Sequence, residues 1–102
     1  MSLKQAKQMY TKKKNALNLS IERARSLLRV QSLEPERLEG VKRKLISAWE
    51  AFDTAYNELV TILIEDETLA AEKEEKDEEQ KHFDATVAGL EDDLEGTIAQ
   101  RR

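Results

Sequence analysis

Leu38, Leu45, Phe52 and Leu59 recur every seven residues, and Val41, Ala48, Ala55 and Ile62 each stand three residues further on. Four repeats of this a/d pattern specify a long α-helix with an apolar seam. Trp49, Tyr56 and Leu63 follow the d positions by one residue and widen the seam into an a/d/e stripe. A two-stranded coiled coil uses a and d alone, whereas a wider stripe takes a second neighbour. The spacing therefore predicts a helix that packs against two partners, within its own chain or across subunits, with Leu45, Phe52 and Leu59 among the most buried residues.

The remainder of the 102 residues also favours helix. Three Gly and one Pro leave too little turn chemistry for an all-β fold, in which turn signals recur about every 8–12 residues. From Leu3 to Val30, apolar residues including Ala6, Tyr10, Leu17, Ile21 and Ala24 keep to one helical face. Lys13 and Lys14 interrupt that face, so the basic N-terminal half is expected to be held less firmly than the apolar end. Gln31-Ser32-Leu33-Glu34-Pro35 is the one clear break before Gly89. Pro35 has a fixed φ and no N–H, which suits the first turn of a new helix, with Ser32 or Glu34 as its cap.

After Ile64 the pattern is less decisive. Glu65-Asp66-Glu67-Thr68 forces no turn; either Asp66 or Thr68 caps a third helix, or the second helix continues. Residues 70–81 have strong helix propensity and almost no apolar face. They read as a solvated surface laced by i,i+4 pairs such as Glu72–Lys76 and Asp77–Lys81. Phe83, Val87, Leu90, Leu94 and Ile98 then restore a seam, which Gly89 and Gly96 weaken. The sequence predicts fraying from about Gly96 onward.

The expected fold is all-α: one domain over residues 1–102, with long antiparallel helices at about 3–31, 35–65 and 68–96. Two arrangements satisfy the pattern. One is a three-helix up-down-up bundle. The other is a helical hairpin whose second helix runs on through residues 35–95 as a coiled-coil arm of about 90 Å. Equal segment lengths and the placement of charge favour the bundle. Residues 1–44 carry 12 Lys+Arg against 4 Asp+Glu, and residues 45–102 carry 5 against 17. In an up-down-up path the first and third helices are parallel, which sets Lys4, Lys7, Lys12, Lys13 and Lys14 level with the acids of residues 72–79.

Charge of this kind also bears on partners. The acidic half is available to the basic half within one chain or between copies, so internal or inter-subunit complementarity is the leading expectation. The Lys12-Lys13-Lys14 triplet, with Arg23, Arg25 and Arg29 beyond it, sets a second one: RNA or an anionic membrane surface bound through the basic first helix.

Several chemistries find no support. There is no Cys and one His, so disulfides, thiolate metal sites and His-based metal clusters are excluded. His82 lies in an acidic tract and reads as a surface residue. The carboxylates have nothing around them in the sequence to raise a pKa, and no Gly-containing calcium loop or phosphate-binding Gly motif occurs. No enzymatic activity, cofactor or small-molecule substrate is expected. The longest apolar run, residues 59–64, is far short of the roughly 20 residues of a membrane span. With no apolar signal stretch near Met1, a cytoplasmic setting is the expectation. Trp49 is followed by Glu50 and Ala51 inside the heptads, which makes it a core or interface residue.

The order of these pieces resembles the N-terminal helical region of Gag-like polyproteins from BEL/Pao-type LTR retrotransposons. A basic tract leads into Leu17-Asn18-Leu19-Ser20-Ile21. A short acidic break precedes a helix bearing Leu45-Ile46-Ser47-Ala48-Trp49-Glu50-Ala51-Phe52, and a Glu/Lys-rich tract leads into Lys81-His82-Phe83-Asp84. The resemblance implies a helical segment ahead of a capsid-like region, serving particle assembly. The wide a/d/e stripe of residues 38–63 separately predicts self-association as a homodimer or higher oligomer. The expected interaction residues are Trp49, Phe52, Tyr56, Leu59, Ile62 and Leu63, of which Tyr56, Leu59, Ile62 and Leu63 are expected to be left partly uncovered by the polar half of the third helix, together with Lys12, Lys13 and Lys14.

Overall fold

The computed structural model describes all residues, Met1 to Arg102. Helix α1 spans Leu3–Leu28, α2 spans Pro35–Leu63, a short 3-10 turn covers Glu67–Leu69, and α3 spans Ala70–Arg101. Together they make an up-down-up bundle with extents of 52 × 19 × 16 Å. A 29-residue helix is about 43 Å long, so the long axis of the molecule is one helix plus its connections. The all-α bundle is realised, and the 90 Å arm is not formed.

Local chemistry sets the helix ends. Ser2 caps α1: its side chain accepts from the Gln5 N–H at 3.2 Å, and Gln5 Oε1 accepts from the Ser2 N–H at 3.1 Å, a reciprocal capping box. Pro35 opens α2 as the sequence predicts, but neither expected cap operates, because the N-cap residue Glu34 makes no side-chain bond to the helix. The end of α2 is tightened by three-residue hydrogen bonds from Glu65 to Ile62 and from Asp66 to Leu63. Asp66 then leaves helical geometry, at φ −126° and ψ 110°. Its Oδ1 accepts from Thr68 N–H at 2.9 Å and from Thr68 Oγ1 at 2.7 Å. Asp66 is thus the residue that turns the chain into the third helical segment. The connections are longer than expected, since α1 ends at Leu28 and α2 at Leu63 rather than near 31 and 65.

The core holds 17 buried residues, all hydrophobic; the Tyr10 hydroxyl is the one side-chain polar atom buried among them without a partner. All four a positions of α2, Leu38, Leu45, Phe52 and Leu59, have no exposed surface. Phe52 is the hub: its ring lies 5.2 Å from Tyr10 on α1, 5.0 Å from Phe83 on α3 and 5.9 Å from Trp49. The predicted α3 seam of Phe83, Val87, Leu90, Leu94 and Ile98 is buried throughout.

Three expectations are corrected. The N-terminal half of α1 is not loosely held: Ala6 and Tyr10 are buried, and Lys14 turns aside to pair with Glu79. The C-terminal turn of α3 does not fray. Ile98 is buried, and Arg101 donates from Nη1 to the Leu33 carbonyl at 2.8 Å and from Nη2 to the Val30 carbonyl at 3.1 Å. It thereby satisfies two carbonyls of the α1–α2 connection. α3 runs unbroken through Gly89 and Gly96, held by the buried seam residues on either side of them. Finally, Leu59 and Leu63 are not left exposed beside the Glu/Lys-rich tract; both are fully buried in the single chain. Leu3 and Leu69 pack against the cluster that holds them, which makes up for the few apolar residues of 70–82.

Candidate functional site

The charge register between α1 and α3 is regular. Lys7 pairs with Glu72 at 3.0 Å, and one heptad further along Lys14 pairs with Glu79. The equal offset confirms parallel helices in one register. Between those pairs, Lys76 Nζ stands 5.3 Å from the centre of the Tyr10 ring, a cation–π contact. Antiparallel α2 and α3 are joined by Lys42–Glu95 at 2.6 Å, by Glu39–Arg102 and by Tyr56 Oη donating to Asp77 at 2.6 Å. Within α3 the i,i+4 pair is Lys73–Asp77 at 2.7 Å rather than either predicted one: Glu72 is engaged by Lys7, and Asp77 by Lys73 and Tyr56.

The predicted interaction residues therefore divide. Phe52, Leu59 and Leu63 are internal core. Trp49, Tyr56 and Ile62 are half-buried and pack against that core. Lys14 is occupied by Glu79, Lys12 is exposed and Lys13 half-buried, neither with an ion pair. The large apolar side chains that do face solvent, Met1, Leu19, Val30 and Ile64, are scattered singly over three helix ends and one helix face. Such residues do not make an apolar docking seam.

What the bundle does present is segregated charge. Arg23 on α1 and Arg37 and Lys44 on α2 are exposed and have no carboxylate partner. They line a groove of about 700 Å³ bounded by α1 and α2 alone, together with Ser26, Gly40 and Val41. It continues along α1 into a second hollow of about 380 Å³, where Glu22 is the one acid. No residue of α3 reaches either hollow. On α3, by contrast, Asp84, Asp92 and Asp93 are exposed and unpaired. The groove cations escape a simple sequence reading because they come from two helices. The available signal is that Arg37 and Lys44 each precede an a position by one residue, a heptad apart, and so flank the seam on one side.

Ionisation follows from these contacts. Hydrogen bonds from Lys73 and Tyr56 hold the Asp77 carboxyl below the usual carboxylate range. Burial pushes Glu79 upward, but the hydrogen bond and charge of Lys14, with help from Lys76, outweigh it and leave Glu79 lowered. Burial first, then the hydrogen bond to Asp77, pushes Tyr56 up to about 12. Burial and the Glu79 charge raise Tyr10 as well, and its buried hydroxyl has no hydrogen-bond partner. Carboxylates lowered in this way favour the folded state fully only above their unfolded values, and that support is lost as pH falls through the folded ones. Stability is therefore expected to be level near neutrality and to decline below about pH 5. Urea midpoints across that range check this, and Asp77→Asn is expected to flatten the acid limb. Raised tyrosines act on the other side, stabilising below about pH 10 and losing that contribution as pH climbs toward 12.

Nowhere do three or more His, Cys, Asp or Glu side chains converge as metal ligands would. No helix is long and apolar enough to cross a membrane. Fold and surface together define an all-α, three-helix bundle with a basic α1–α2 face and an acidic α3 face. Among known proteins, no family model, no curated protein and no solved structure matches the chain.

Proposed function

We propose that the chain is a non-catalytic helical interaction module that associates with further copies of itself, as a scaffold, through its charged faces. The observation that supports this is the pairing of unsatisfied charge: exposed cations on the α1–α2 face and exposed carboxylates on α3, each without a partner in the chain. The two faces belong to different sides of the bundle. A contact between them is heterologous, face to opposite face, and such contacts build rings or open chains rather than closed two-fold dimers. The assembly role fits the Gag-like reading, which itself rests on the order of helices and charge tracts.

The apolar seam is used up inside one molecule, so it supplies none of the affinity between copies. Charge on exposed side chains is screened by salt. Light scattering at micromolar concentration is expected to give a mass above 11.7 kDa in low salt, falling to that of the monomer in high salt. A monomer in both conditions would remove the self-association reading. An oligomer indifferent to salt would replace its charged contact with an apolar one.

A further inference from the structure

The α1–α2 groove has a second use that does not depend on self-association. Arg23, Arg37 and Lys44 converge on one hollow of about 700 Å³, and no acidic side chain lines it. All three are exposed, and none of their side chains makes an ion pair or hydrogen bond within the chain. The other cations near helix contacts behave differently: Lys7, Lys14, Lys42 and Arg102 are each neutralised by a carboxylate on a neighbouring helix. The groove thus keeps three cations that the fold has not used, beside the Ser26 hydroxyl as an additional donor.

We infer that this groove binds the phosphodiester backbone of single-stranded RNA, with Arg23, Arg37 and Lys44 as the phosphate-contacting residues. Three features select this partner. Guanidinium groups suit phosphate because two N–H donors meet two oxygens at once. The hollow is recessed between two helices and continues from Arg37 past Lys44 to Leu19, with Glu22 the one acid, at its far end, a shape that follows a strand. A flat bilayer surface would call for a broad basic face interleaved with bulky apolar residues. Leu19 is the one large apolar side chain exposed there. No aromatic residue lines the groove, so base stacking is absent and binding is indifferent to sequence.

The test titrates the full chain into fluorescently labelled oligo(U) and oligo(C) and follows anisotropy across a salt series. With three phosphate contacts on a single strand, the slope of log K against log salt is expected to be about −2. That is roughly a 20-fold loss of affinity between about 50 and 200 mM salt. The triple variant Arg23→Gln/Arg37→Gln/Lys44→Gln should flatten the slope and abolish most of the binding, while circular dichroism and the thermal midpoint stay unchanged because the three side chains are exposed. Lys4→Gln/Lys12→Gln/Lys13→Gln removes equal charge elsewhere on α1 and should leave most of the affinity. Equal loss in both variants would overturn the groove assignment, as would stronger binding to duplex RNA than to the single strand. Absence of RNA binding overturns it too, including the case in which phosphatidylserine vesicles bind instead. The mass of the RNA-free protein reads self-association separately, so either proposal can fail without the other.

Discussion

Phe52→Ala is expected to destabilise the fold by about 3–5 kcal/mol, the usual cost of deleting a buried Phe. A domain of this size has only about 5–15 kcal/mol in total, and each kcal/mol moves its thermal midpoint by roughly 4–8 °C. The midpoint should therefore fall by about 15 °C or more. The upper part of the range applies because Phe52 is fully enclosed and touches aromatic rings from both other helices, Tyr10 and Phe83. A cavity there cannot be closed by one side chain without drawing a helix inward. Trp49→Ala provides the contrast. Trp49 is half-buried at the edge of the same cluster, so its loss should cost clearly less. Equal midpoints for Phe52→Ala and the native chain would contradict the assignment of Phe52 to the centre of the bundle.

Removal of residues 97–102 is expected to cost roughly 3–5 kcal/mol, although the segment is terminal and follows Gly96. It buries Ile98, worth about 1.5–3 kcal/mol. It also carries Arg101, whose two charged hydrogen bonds to the Val30 and Leu33 carbonyls contribute about 1.5–3 kcal/mol. Arg101→Ala alone should account for about half of the effect. A truncated chain with an unchanged midpoint would mean that the last turn of α3 is frayed in solution.

The fold was largely legible in the sequence because its central helix states its own geometry. The heptads from Leu38 to Ile62 define both the helix and the face it buries, and Pro35 marks where it begins. The lysine–glutamate register was legible as well: Lys7 and Lys14 meet Glu72 and Glu79 because segments of similar length, folded up-down-up, place α1 level with the start of α3. Less legible were contacts between residues far apart in sequence. Arg101 is separated from Leu33 by 68 positions, and no periodicity in α3 announces that its last turn will hold the α1–α2 connection. Leu59 is fully buried, as its a position predicts, but the expectation that Leu59 and Leu63 stay partly uncovered opposite the third helix failed for a related reason. Counting apolar residues in the segment 70–82 undervalues Leu69 and Leu3, which pack there from other segments. The turn after Ile64 depends on one side chain, Asp66, which leaves helical geometry and accepts from Thr68; in the sequence an Asp at this position reads equally well as a surface residue of a continuous helix. The basic groove is a property of two helices laid side by side, so neither helix reveals it alone.

All of these readings rest on one claim: the wide apolar stripe of α2 is closed by α1 and α3 of the same chain, which leaves charge as the outward-facing feature. Small-angle X-ray scattering in high salt, where charged contacts between copies are screened, tests this most directly. The account predicts a compact, slightly elongated particle of monomer mass with a radius of gyration close to the 16.0 Å of its Cα trace. A chain in which residues 35–95 run on as a single helix would form an arm of about 90 Å and give a radius of gyration of about 26 Å as a rod of that length. That larger value, or a mass of two or more chains persisting in high salt, would contradict a bundle closed within one molecule.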